Sequence, residues 1–193
     1  MESLPAKVRK LRPIEIFLEV SQNEFSFNVP CYWMLLESKE KVTEKQIEET
    51  LRILYRNIDI LQLCVRKENG EYWFCEMDEE RILLKVRNNQ SPYEIFDSET
   101  HTNFDSATGP LWRATFIPSH ESLKENNFYT SNIMLTFNHA IVDGFTSLTI
   151  CSSFLKVLND VIGGKVEETY NFGEFNDGLE TEELATQKIE NLK

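Results

Sequence analysis

The sequence predicts a mixed α/β fold, and three observations carry that expectation. Helix and strand signals alternate along the chain, one helix comes with its own cap, and an apolar strand ending at Phe137 runs directly into a helix. With 193 residues, 41% of them hydrophobic and 11% aromatic, and only 7 glycines, the chain fits one compact domain with a sizeable core. A formal charge of −12 argues against a long electrostatic contact with nucleic acid or an anionic membrane. No uninterrupted run of 18 apolar residues is present, and the stretch before Pro13 lacks the apolar segment of a secretory signal, so the expected location is the cytoplasm. The cysteines Cys31, Cys64, Cys75 and Cys151 stand singly among hydrophobic residues. They read as small buried side chains, with neither a zinc site nor a disulfide framework.

Residues 13–21 open with a proline suited to a first helical turn and predict a short helix. Residues 29–37 are aromatic and continuously apolar, the pattern of a strand buried on both faces. Thr43 and Gln46 form a capping-box pair, and Ile47, Leu51, Leu54 and Ile58 follow at spacings of four, three and four, so a helix starts here. Residues 60–66 and 71–76 are rich in β formers around Glu68-Asn69-Gly70 and predict a hairpin, which a strand at 82–87 would extend. Residues 88–109 are polar and turn-rich and read as a long connection with one helical turn at most. Two apolar strands follow, at 111–117 and 131–137, around a solvated loop at 119–127. From Phe145, the positions Phe145, Leu148, Ser152, Leu155 and Leu158 recur at helical spacing, and Gly163-Gly164 ends the helix. Residues 165–193 are acidic and weakly apolar and read as a tail or linker, partly disordered, behind a domain spanning 1–164.

The strand-to-helix turn carries the one pattern that suggests chemistry. His139, Asp143 and Gly144 form a His-x-x-x-Asp-Gly sequence, which offers a base, a carboxylate and a backbone free of side chain. Taken alone, such a histidine is more often a hydrogen-bonded structural one than a base, and Asp143 stands where the N-cap of the following helix belongs. His101 and His120 lie in polar loops with no ligand spacing to His139, so no metal site is expected. Cys151, eight helical residues beyond Asp143, lies about 12 Å along the axis and is badly placed as a nucleophile. Ser147, one turn on, could reach the mouth of a channel there. No glycine-rich phosphate cradle is present.

A second segment joins the first: Phe104, Asp105, Gly109, Pro110, Leu111, Trp112 and Arg113. By itself it is turn chemistry ahead of a strand. With His139–Gly144 behind it, in that order, it resembles the chloramphenicol acetyltransferase-like superfamily, which includes peptide-synthetase condensation domains and alcohol acetyltransferases. The opening, Leu11 to Glu15 through the capped helix to Gln62, resembles the start of the same proteins, and the likeness covers about residues 11–162. It implies an α/β (α+β) sandwich with a mixed, largely antiparallel sheet flanked by helices, namely the N-terminal subdomain of that fold. It also implies an acyltransferase or condensation-type activity in which His139 is the general base for a hydroxyl, amine or thiol attacking an acyl thioester. The donor would be acyl-CoA or a phosphopantetheine-linked acyl group, a co-substrate and not a tightly bound cofactor.

By the same resemblance Asp143 is structural and pairs with an arginine, for which Arg113, Arg56 and Arg12 are candidates. Gly144 would keep the turn clear beside the channel. Asn138 stands where the family has the first of two histidines. The family's second half, which faces the first across a channel, has no counterpart up to Lys193. A second subdomain or an oligomer would complete the channel, since chloramphenicol acetyltransferase completes its own site between subunits. The other reading is a non-catalytic half-domain acting as a binding or oligomerisation module, whose uncovered apolar face favours self-association.

Overall fold

A computed structural model describes residues 6–27, 29–119, 122–123 and 128–172. Its elements are β1 (Lys7–Lys10), α1 (Pro13–Phe25), β2 (Cys31–Ser38), α2 (Glu44–Asn57), a 3-10 turn (Asp59–Gln62), β3 (Leu63–Glu68), β4 (Glu71–Glu76), β5 (Leu84–Val86), α3 (Pro92–Thr100), β6 (Trp112–Ile117), β7 (Ser122–Leu123), β8 (Phe128–Phe137) and α4 (Gly144–Ile162). They form a mixed α/β structure with two sheets. The smaller is antiparallel, in the order β1-β4-β3. The larger runs β2-β8-β6-β5, with β7 on β8, and only its β5–β6 pairing is parallel.

The main core forms where α2 and α4, packed together, cover one face of the larger sheet. The predicted positions Ile47, Leu51, Leu54 and Ile58 of α2 are all 1% exposed or less. The cap is as expected: the Gln46 N–H donates to Thr43 Oγ1 at 3.3 Å and the Thr43 N–H donates to Gln46 Oε1 at 2.9 Å. On β8, Ile133, Leu135 and Phe137 face this core, while Met134 turns to the opposite face and packs under α3 with Ile95 and Ile117. Both faces of β8 are therefore covered, by the period-two rule for strand side chains. The predicted hairpin is β3–β4, with Asn69-Gly70 at its turn.

Several expectations are corrected. Residues 29–37 are not buried on both faces: β2 is an edge strand, and Leu35 is 62% exposed beyond the cover of α3. The central strand is β8. The strand expected at 82–87 does not extend the hairpin. It is β5, which pairs parallel with β6 in the larger sheet because α3 supplies the crossover that a parallel pair needs. The connection at 88–109 thus holds a nine-residue helix. Helix α1 runs four residues past Ser21.

The predicted face of α4 is largely the wrong one. Phe145, Leu148 and Leu155 are 81%, 59% and 43% exposed; of the predicted apolar positions only Leu158 is buried, and it joins Ile150, Cys151, Phe154 and Val157 in the core. The helix carries apolar residues on both sides, so its period does not say which side is inside. By length and composition these 19 residues could cross a membrane, but 39% of the span is buried inside the protein. Past Gly164, Tyr170 is buried. Its N–H donates to Asn57 Oδ1 at 3.1 Å and its hydroxyl to Asp160 at 3.2 Å, tying this stretch to α2 and α4. The loop at 119–127 and the acidic stretch after Phe172 lie largely or wholly outside the described residues.

Candidate active site

The end of β8 determines the position of His139. The Asn138 N–H donates to Leu111 O at 2.8 Å, continuing the contact between β8 and the segment entering β6, and the chain then turns. The Ile141 N–H donates to Asn138 O at 3.2 Å, and the Ala140 N–H to Asn138 Oδ1 at 2.9 Å. Asn138 is fully buried, and its amide nitrogen donates to Glu19 Oε2 at 2.6 Å and to Ser106 Oγ at 3.3 Å. Glu19, also buried, accepts a second amide proton from Asn23 at 2.6 Å. The Asn138 side chain thus anchors the turn to α1.

His139 is half-buried on the floor of a cleft of about 680 Å³. It is lined by Arg9, Arg12 and Glu15 from β1 and the start of α1, by Phe74 and Glu76 of the neighbouring strand β4, by Asp59 of the 3-10 turn, and by His139 to Asp143. Ring atom Nδ1 is buried with no hydrogen-bond partner among the described residues, so Nε2 is the nitrogen turned to the cleft. Burial lowers the imidazole pKa, and the charge of Asp143 opposes that shift only in part. The ring is therefore neutral at pH 7 and free to accept a proton. The Arg9 guanidinium holds Glu15 with two bonds of 2.8 and 2.7 Å and lies over the Phe74 ring.

Asp143 caps α4. Its Oδ1 accepts the Thr146 N–H at 2.7 Å, and hydrogen bonds from that amide lower its carboxyl pKa. Two of the arginines expected to pair with it are committed elsewhere. Arg56 binds Glu80 at 2.9 Å, and Arg113 forms a buried ion pair with Glu99. Arg12 lines the same cleft as Asp143. A Cβ built on Gly144 meets nothing within 4 Å, so no atom of the described residues demands glycine there. Ser147 does not reach the cleft. It is fully buried, with its Oγ 2.6 Å from Tyr32 Oη. Cys151 is buried too, and desolvation pushes its thiol up to about 12, which removes the thiolate a nucleophile needs.

The upstream motif supports this turn from behind, and none of its residues lines the cleft. Asp105 Oδ2 accepts the Thr108 hydroxyl at 2.8 Å, and Asp105 O accepts the Gly109 N–H at 2.9 Å. Gly109 has φ +64°, and a Cβ there would lie 2.6 Å from Met77 Sδ, so both conformation and space call for glycine. Pro110 follows it, buried, ahead of β6. Arg113 stacks over the Phe104 ring at 4.2 Å, donates to Glu99 O and Thr102 O at 2.7 Å each, and joins Lys85 and Thr115 around the Glu99 carboxylate. That cluster holds α3 to the sheet.

No family model and no curated protein matches this sequence. Solved structures do. The first condensation domain of the calcium-dependent antibiotic synthetase superposes with a TM-score of 0.72 at 13% identity, over 93% of this chain and 44% of that one. The starter condensation domain of rhizomide synthetase gives a TM-score of 0.69 at 14% identity, over 92% and 43%. This is the fold of half a condensation domain. A four-domain nonribosomal peptide synthetase bound to AMP and glycine contains it as well, with a TM-score of 0.62 at 12% identity over 81% of this chain and 12% of that one. The chain thus spans under half the length of the condensation domains it matches, and at these identities the likeness is one of fold. A variant of the rhizomide synthetase starter domain was solved in complex with C8-CoA.

Within this condensation-type half, the structure joins His139, Asp143 and Gly144 at one turn and sets Phe104–Arg113 behind it. Sequence reasoning missed Glu19 and Gln22, which reach that turn from α1. Polar residues three apart on a helix read as a solvated face, and only the fold shows that this face is inside.

Proposed function

We propose that this chain is the histidine-bearing half of a condensation-type acyltransferase. His139 Nε2 takes the proton of an acceptor hydroxyl, amine or thiol as that atom attacks an acyl thioester, and the thiolate of the donor leaves. The donor is acyl-CoA or a phosphopantetheine-linked acyl group, a reading that the C8-CoA complex of the rhizomide synthetase starter domain supports. The observation that carries the proposal is a half-buried imidazole that lines an open cleft in this fold, with Nδ1 buried and Nε2 toward the cleft. Asp143 and Gly144 shape the turn, and Phe104, Asp105, Gly109, Pro110 and Arg113 support it. We place the domain at 1–164 with 165–193 as the stretch that leaves it, of which Tyr170 still packs back onto α2 and α4, and the enzyme in the cytoplasm.

The other wall of the channel comes from a second α/β half or from another copy of the chain. Ile14 and Phe17 of α1 and Phe145 and Leu148 of α4 are 56%, 58%, 81% and 59% exposed, and both helices border the cleft. Apolar side chains in that position suit a covering surface. The same exposed residues favour the second reading, a non-catalytic module that only docks. The discriminating experiment is acyl transfer from acetyl-CoA by the assembled protein, wild type against His139→Ala. A loss of about 100-fold or more in kcat is expected. Equal rates refute the base, and no transfer by either protein favours the docking module.

A further inference from the structure

The His139 N–H has an unusual partner. Strand pairing ends at Asn138, and the amides of Ala140 and Ile141 bond within the turn. The amide of His139 alone reaches across the fold, donating at 3.1 Å to Oε1 of Gln22, a residue 117 positions away in sequence. Gln22 is 0% exposed and lies one turn of α1 beyond Glu19, which holds Asn138. A buried amide without an acceptor costs more than its hydrogen bond contributes, so this N–H determines which way the carboxamide faces. Gln22 Nε2 and His139 Nδ1 are both buried without hydrogen-bond partners among the described residues. The turn is thus anchored through Asn138, and the amide of His139 itself is held by the side chain of Gln22.

We propose that Gln22 is a positioning residue for His139. It clamps the backbone of the histidine so that Nδ1 stays buried and Nε2 stays on the cleft floor. The proposal rests on the reading of His139 as the base only for its catalytic consequence, because the clamp itself is a property of the free chain. The charges around this ring are Asp143 on its own turn, Arg9, Arg12, Glu15, Asp59 and Glu76 along the cleft, and Glu19 behind Asn138. Substituting Gln22 with an uncharged residue leaves all of them in place.

The test is the NMR titration of His139 in the 193-residue chain. In Gln22→Met, which keeps the size, and Gln22→Ala, the ring is released to solvent. The titration of His139 then moves upward toward the ordinary value of about 6.5. A purely structural role would lower stability and leave the His139 titration unchanged in the folded variant, and that result overturns the proposal. A measurement on the wild type covers the case in which neither variant folds: the His139 amide must exchange slowly, and exchange as fast as an open loop refutes the clamp. In the acyl-transfer assay, Gln22→Met lowers kcat by up to about 100-fold with KM held. Should His139→Ala retain full activity, the base assignment fails while the NMR arms still judge the clamp.

Discussion

Asp143 offers a direct choice between a helix cap and an ion pair. Its carboxylate accepts the Thr146 N–H at 2.7 Å at the head of a 19-residue helix. Replacing it with alanine removes the cap, worth about 1 kcal/mol, and the charge beside the positive end of the helix, worth about 0.3–1 kcal/mol. Replacing it with asparagine keeps the accepting oxygen and loses only the charge. Asp143→Ala should therefore cost about 1–2 kcal/mol, and Asp143→Asn under about 1. In thermal unfolding followed by circular dichroism, the alanine variant should melt about 2–8 °C lower and the asparagine variant about half as far or less. The pH dependence has a definite sign. The carboxyl is depressed in the folded state by the amide it accepts, so its contribution is present above the ordinary carboxylate pKa and disappears as pH falls through the folded value. The gap between wild type and Asp143→Asn thus closes below about pH 4. If asparagine proves as damaging as alanine, the carboxylate is held by an arginine and the cap argument is wrong.

Removing Arg113 alone, as Arg113→Met, leaves Glu99 buried without its main partner and should destabilise by about 3–5 kcal/mol in urea denaturation. The double variant with Glu99→Gln should recover part of that, and an equal or greater loss refutes the pairing. Gly109→Ala forces a left-handed residue to carry a Cβ against Met77 Sδ. A cost of about 2–4 kcal/mol is expected, partly relieved by Met77→Ala, and a change under 0.5 kcal/mol refutes it. Phe145→Gln with Leu148→Gln should leave stability within about 0.5 kcal/mol and shift the chain toward monomer in gel filtration. A monomeric wild type, or a large loss of stability, counts against the uncovered face.

What the sequence reveals depends on how local the physics is. Helix α2 is legible because the Thr43 and Gln46 pair and the spacing of Ile47, Leu51, Leu54 and Ile58 act within one element. The Asn69-Gly70 turn is legible for the same reason. The buried face of α4 is not, since Phe145, Leu148 and Leu155 repeat as regularly as Ile150, Phe154 and Val157, and only the packed sheet chooses between them. Membership of β5 in the larger sheet depends on a crossover that no short window contains. At the site, His139, Asp143 and Gly144 are adjacent in sequence and were visible together. The hold of α1 on His139 spans 117 residues and has no local signature.

The place of β8 also sets an order of events. It lies between β2 and β6, and β2 pairs with nothing else among the described residues. The contact between Cys31 and Thr136 joins residues 105 apart. During synthesis, β2 must therefore wait, with its edges open, until about a hundred further residues have emerged, and the larger sheet closes only when β8 arrives. His139 follows two residues later. The turn that carries His139 is thus among the last parts of the domain that a ribosome can allow to form.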